Sequence, residues 1–310
     1  MKENFKKFNS IIVSIILVLL LIATVIFVYK IGFQDLLAKQ NKTADSVANV
    51  DNDSGSSNLA NLQEQIIPSQ GVELPVKWGD LGKRMADAGV IDKNKFEELY
   101  LQRDGFSEAD KKMIEAEGNG NIIINSQNSG LILNLLWALG LGNENRVLET
   151  GPMKDPKYGG AEGFASTGGW TLAKGDTMNH YSGHQFVVLT DEQQRLVEGV
   201  AKNIYRPCCG NSTYFPDCNH GMAMLGFLEL AASQGFSENA LYQMALVLNS
   251  YWFSDNYLTI AQYFENKGID WDKVGAKEVL GLNFSSVSGY QKILTQIQPK
   301  SGGSGGSCGV

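Results

Sequence analysis

Three of the four cysteines (Cys208, Cys209, Cys218) and all three histidines (His180, His184, His220) fall between residues 180 and 220 of this 310-residue chain. Thiolate sulfur and imidazole nitrogen are preferred donors for zinc and copper, and the thioethers of Met178, Met222 and Met224 would add soft ligands suited to copper(I). The six residues are therefore a candidate metal set, with Cu or Zn as the implied ion. A Cys2His2 or Cys3His selection would close a structural zinc site; spare soft donors would suit a carrier.

Spacing supports a site without fixing its kind. His180 and His184 stand four apart, one helical face, but Gly183 in "NHYSGH" weakens a helical geometry. No acid separates them as in the "HExxH" metalloprotease pattern. Cys208 and Cys209 are adjacent, unlike the "CxxC" knuckle of zinc ribbons. Pro216 and Asp217 precede Cys218, so Asp217 is the expected helix cap. Cys218 would then lie in the first turn, where the helix dipole favours a thiolate.

Two other readings use the same residues. Thiol-redox or Cys-dependent catalysis would pair Cys218 with His184 and an orienting Asp176 or Asp217. A disulfide-held interaction module would join Cys208 or Cys209 to Cys218, and the other to Cys308, in an oxidising compartment. Ser166 and Thr167 in "FASTGGW" offer hydroxyls to His180 or His184, yet no "GxSxG" elbow is present.

The elements that must position these groups read as mainly α. Helices are expected over 81–88, in "DKNKFEELYLQRDG" and "SEADKKMIEAEG", and in the apolar "NSGLILNLLWALGLG"; "NIIIN" is the best isolated strand candidate. Residues 150–190 are rich in Gly and polar residues, a loop-rich insertion of the length that carries function or moves. Helices resume at 191–205, opened by a Thr190/Gln193 capping box, and continue over 218–234, 238–253, 256–266 and 287–297. The expected body is a single helical domain, 74–297.

Hydrophobic residues make up 43% and charged residues 19% of the chain, and the net charge is −7. With no basic block in the body, nucleic acid is excluded as a partner, because phosphate binding needs a concentrated cationic surface. The uncharged run "IIVSIILVLLLIATVIFVY" has about the 20-residue length that crosses a hydrocarbon core as a helix. We read 11–32 as a transmembrane signal anchor, 1–10 as a cytoplasmic tail, and the body as extracytoplasmic. Residues 33–73 are polar and read as a disordered stalk, with a short juxtamembrane helix over Leu59–Ile67 as the alternative for part of it. Residues 298–310 form a Gly/Ser tail that carries Cys308, a tethered thiol able to reach the body.

"WGDLGKRMADAGVID", "RPCCGNSTYFPDCNHGMAM" and the Gly-rich, Cys-bearing terminus together resemble uncharacterised bacterial membrane-anchored proteins. The likeness covers most of the body. It implies a prokaryotic cell-envelope setting and brings no catalytic residue with it.

Overall fold

Polar stretches with capped ends and apolar stripes give most of this chain its helices. The computed structural model describes residues 53–103 and 105–297, with side chains from residue 58 onward. The expected cytoplasmic tail, the anchor at 11–32, the first part of the stalk and the Cys308 tail lie outside these residues. Among the described residues no helix is long and apolar enough to cross a membrane. The chain divides into two units, Met1–Leu59 and Ala60–Val310. Of the first, only the start of helix α1 (Asp53–Ile66) is described; every later element belongs to the second.

The body begins earlier than the sequence suggests. Within the stretch read as a stalk, α1 is helical, and its Leu62 and Ile66, with Ile67 just beyond, are buried. Strand β1 (Val72–Gly79) comes next, alternating buried Leu74, Val76 and Trp78 with outward residues. It pairs antiparallel with β2 (Asn119–Ile124), and the register slips between Leu74 and Lys77. Pro75 sits at the slip, as expected of a residue that has no N–H for the ladder. At Lys77 the Gln234 side chain supplies both missing partners: its Oε1 accepts from Lys77 N at 2.9 Å and its Nε2 donates to Lys77 O at 2.8 Å.

Between the strands lie α2 (Leu81–Ala88), α3 (Lys93–Leu101) and α4 (Glu108–Glu115). After β2 come α5 (Ser129–Gly142) and the short α6 (Arg146–Thr150), then the loop region, then α7 (Asp191–Ala201) and α8 (Asn219–Ser233). The chain closes with α9 (Glu238–Trp252), α10 (Ser254–Glu265), α11 (Ala276–Val279), α12 (Leu282–Ser285) and α13 (Val287–Leu294). The mainly helical class holds, with one two-stranded sheet among the described residues.

The centre of the core is α5 against α8, apolar on nearly every face. Their backbones touch through glycines: a Cβ on Gly140 would stand 2.1 Å from the Met222 carbonyl oxygen, and one on Gly226 would stand 2.4 Å from that of Leu136. Neither position admits a side chain without separating the helices.

Residues 150–190 form a chain of short 3-10 turns pinned by two indoles. Trp137 on α5 donates to the Ser166 carbonyl at 2.7 Å, Trp170 donates to the Val90 carbonyl at 2.8 Å, and the two rings meet edge-on at 4.9 Å. A buried Trp needs an acceptor for its N–H. Here the acceptors are loop carbonyls, so core formation and loop placement are one event.

Candidate metal centre

The segment between α7 and α8, residues 202–218, contains no regular helix or strand. Buried Arg206, 1% exposed, organises it. Its Nη1 donates to the Asn211 carbonyl at 3.2 Å; its Nη2 donates to the Phe215 carbonyl at 3.2 Å and to Asp217 Oδ1 at 2.6 Å. Asn211 Nδ2 donates to the other Asp217 oxygen at 2.8 Å. A guanidinium out of water needs opposite charge and acceptors for its N–H groups, and this loop wraps round it to supply them. Gly221 on α8 makes room: a Cβ there would meet Arg206 Nη2 at 2.5 Å.

The remaining donor, Nε, reaches Cys218 Sγ at 3.0 Å. Cys218 is itself the N-cap of α8, with extended dihedrals and no side-chain bond to the helix N–H groups. The cap expected at Asp217 is therefore one residue late, because Asp217 is committed to Arg206. The sulfur is thus turned toward the loop at the positive end of a 15-residue helix.

Cys208 Sγ lies 3.9 Å from Cys218 Sγ, and with Cys209 the three sulfurs all lie within 4.8 Å of one another. Cys209 is held by its backbone: its N–H donates to the Arg206 carbonyl, and its carbonyl accepts from Val287 N at the start of α13. All three cysteines are free thiols and half-buried, so the expected disulfides among them are not formed.

The charge falls on one sulfur. Hydrogen bonds from the Cys208 and Cys209 thiols, joined by the Arg206 guanidinium, hold the Cys218 thiol well below its usual range. The hydrogen bond with Cys209, then that with Cys218 and burial, push the Cys208 thiol up. At Cys209 the bond with Cys208 pulls downward, but Cys218 and burial outweigh it and the thiol is pushed up to about 11. One thiolate flanked by two thiols is a set that loses further protons when a cation arrives.

His220 lies in the first turn of α8, its ring centre 4.3 Å from that of Phe253 and 6.0 Å from that of Trp252. Its Nδ1 is buried with no hydrogen-bond partner, and its side chain adds to the lowering of the Cys218 thiol. His220 follows Cys218 by two residues, but its ring nitrogens do not join the group of ligand atoms formed by the three sulfurs.

His180 and His184 do not join this group. Among the described residues, the cluster able to hold an ion comprises the three cysteines alone. The histidine turn is tied to the end of α5, with Ser182 N and His184 N donating to the Leu141 and Gly142 carbonyls. At that end, Asn143 donates to Glu229 at 2.9 Å. Glu229 lies three turns along α8 from Cys218, roughly 16 Å at 1.5 Å per residue. The six-residue set expected from clustering in sequence thus separates into a group of three sulfurs, His220 outside that group, and a distant histidine pair. The Cys218–His184 dyad fails for the same reason, and Asp176 caps a 3-10 turn by accepting from Met178 N at 2.9 Å. Ser166 and Thr167 are fully buried with unpartnered hydroxyls, which removes them as presented nucleophiles. Met222 and Met224 belong to the core.

Arg206 and Gly221 frame the sulfur group, yet neither stands out in the sequence as a site residue. An Arg two residues before a cysteine pair carries no spacing signal; Gly221 early in a strong helix is a mark of close approach. No family model, curated protein or solved structure matches this chain.

Proposed function

We propose that this chain is a membrane-anchored, extracytoplasmic protein that binds copper(I) or zinc(II) through Cys208, Cys209 and Cys218, with His220 as fourth donor. The observation that carries the reading is the sulfur geometry: Cys208 and Cys218 stand 3.9 Å apart. Two sulfurs bound to one tetrahedral ion at about 2.3 Å are separated by about 3.8 Å. Ion entry therefore needs little reorganisation of these two side chains. Arg206 and the α8 N-terminus offset the negative charge that three thiolates would bring. Thiolates select soft and borderline ions over Mg2+ or Ca2+. The uncharged run at 11–29 supports the anchor; Lys2, Lys6 and Lys7 precede it and Lys30, Lys39 and Lys42 follow, so the charge bias toward a cytoplasmic N-terminus is small.

The test is metal analysis of the full chain, purified in detergent without a His tag and reconstituted under reducing conditions. One tightly held equivalent of copper(I) or zinc supports the reading. Less than about a tenth of an equivalent, against the tight binding expected of structural thiolate sites, rejects it.

The same contact favours a second reading, thiol–disulfide exchange. The Cys218 thiolate would attack one sulfur of a substrate disulfide and expel the other as a thiol. Cys208 would then close onto Cys218, releasing the substrate as a dithiol and leaving the pair oxidised. Reduction of a model disulfide by metal-free protein, stoichiometric with Cys208–Cys218 closure by mass spectrometry, separates this reading from ion storage.

A further inference from the structure

The three thiols differ in how firmly their backbone is held. Cys209 is fixed at every polar group: its N–H donates to the Arg206 carbonyl at 3.3 Å, its carbonyl accepts from Val287 N at 3.1 Å, and its sulfur lies 3.8 Å from the Asn211 carbonyl oxygen. Cys208 is untethered. Among the described residues neither its N–H nor its carbonyl makes a backbone hydrogen bond, and it lies outside any helix or strand. Its Sγ stands 3.9 Å from that of Cys218, against about 2.05 Å in a disulfide. Turning the Cys208 side chain, with a small shift of its free backbone, closes that gap.

Cys218 is the sulfur placed for attack. It caps α8, where the helix dipole favours negative charge, and it accepts from Arg206 Nε at 3.0 Å. An oxygen added to this sulfur falls within reach of the same guanidinium. A fixed cationic donor at that point stabilises charge as a weak O–O bond breaks. The site also limits what can enter. Arg206 is out of solvent and all three cysteines are half-buried, so a small oxidant that acts on one sulfur is favoured over one that needs a broad approach.

We propose that Cys218 is a hydroperoxide-reactive thiol resolved by Cys208, and that closure of this pair empties the metal site. Only the second part rests on the ion-binding reading. In the first step the Cys218 sulfur attacks the terminal oxygen of the hydroperoxide. An S–O bond forms, the O–O bond breaks, and the leaving alkoxide takes the proton given up by Cys218, yielding a sulfenic acid and an alcohol, or water from hydrogen peroxide. The Cys208 sulfur then attacks the Cys218 sulfur. An S–S bond forms, the S–O bond breaks, and the departing hydroxide leaves as water with the Cys208 proton. Two thiols lose two electrons and the peroxide gains them. With an ion bound, the two protons come from solvent, and the ion is left with one sulfur of three.

The test uses the full-length chain with Cys308→Ser, reduced and metal-free, so that the three body thiols alone are read. One equivalent of hydrogen peroxide should consume two thiols per chain and give a Cys208–Cys218 disulfide by peptide mapping, with Cys209 still free. Adding Cys208→Ser should stop the reaction at a sulfenic acid on Cys218, trapped by dimedone. Adding Cys209→Ser instead should leave closure as in the parent. A disulfide that includes Cys209, a dimedone adduct on Cys209 in place of Cys218, or no loss of thiol overturns the proposal. A second arm loads the chain with zinc before peroxide is added, and zinc should reach a colorimetric chelator in step with closure. Closure with the ion retained overturns the release step. A chain that never loads zinc removes that step together with the ion-binding reading, and the metal-free arm still decides the oxidation.

Discussion

Arg206 donates from Nε to Cys218 Sγ across 3.0 Å, from a guanidinium that is itself out of solvent. This contact links the loop that carries Cys208 and Cys209 to the helix that carries Cys218. Arg206 also binds two loop carbonyls and Asp217, so the fold of residues 206–218 and the spacing of the sulfurs depend on one side chain.

Arg206→Met should therefore destabilise the body strongly. It leaves Asp217 half-buried without its cation, and breaking a buried pair from one side costs about 3–5 kcal/mol. Urea denaturation followed by tryptophan fluorescence measures this; a loss under about 1 kcal/mol would place Arg206 outside the framework. Arg206→Lys, which keeps the charge but not the fork of donors, should recover only part of the loss.

Gly221→Ala tests the same framework from the helix side. In an ordinary helix interior the exchange gains roughly 1 kcal/mol from propensity. Here the new Cβ would stand 2.5 Å from Arg206 Nη2 and 2.6 Å from Cζ. Overpacking of this kind costs about 1–3 kcal/mol. A net fall in melting temperature is expected, and a rise would contradict the packing described.

Glu229 is fully buried on α8, with one carboxylate oxygen bonded to Asn143 and the other unpartnered. Burial raises its pKa well above the usual carboxylate range. The folded state therefore holds this proton more tightly than the unfolded chain does. Its contribution to stability is complete below the unfolded pKa, about 4.3, and is lost as pH rises through the folded value. Glu229→Gln should remove that loss, so the variant gains on the parent as pH rises from about 4 to about 8. Denaturation midpoints across this range check it; a variant that loses ground with rising pH would contradict the assignment.

His220→Ala should leave the chain folded, since Nδ1 makes no hydrogen bond, and should lower zinc affinity by roughly 10- to 100-fold by removing one donor of four. Chelator competition against the parent reads this directly. Unchanged affinity would reduce the centre to three sulfurs.

Much of the helical frame is legible in the sequence because its signals are local. The Thr190/Gln193 capping box forms as expected, and α8 spans Asn219–Ser233 against an expected 218–234. β1 is hidden because Pro75 breaks an otherwise regular alternation of Val72, Leu74, Val76 and Trp78. α1 is legible only as the alternative helix over Leu59–Ile67, because a polar stretch with only Leu59, Leu62, Ile66 and Ile67 looks like a spacer until a core is present to receive three of them. The histidines mislead for a different reason. Nearness in sequence is not nearness in space when a loop is anchored at both ends of a long helix pair. One anchor fixes His180 and His184 at the end of α5, and the other fixes the sulfurs at the start of α8.

The central claim is that Cys208, Cys209 and Cys218 hold one ion. X-ray absorption at the zinc or copper edge of the reconstituted full-length chain measures it. Three sulfurs at about 2.3 Å are expected. A shell of nitrogen and oxygen alone, or a bound ion that persists after all three cysteines are replaced by serine, would contradict it.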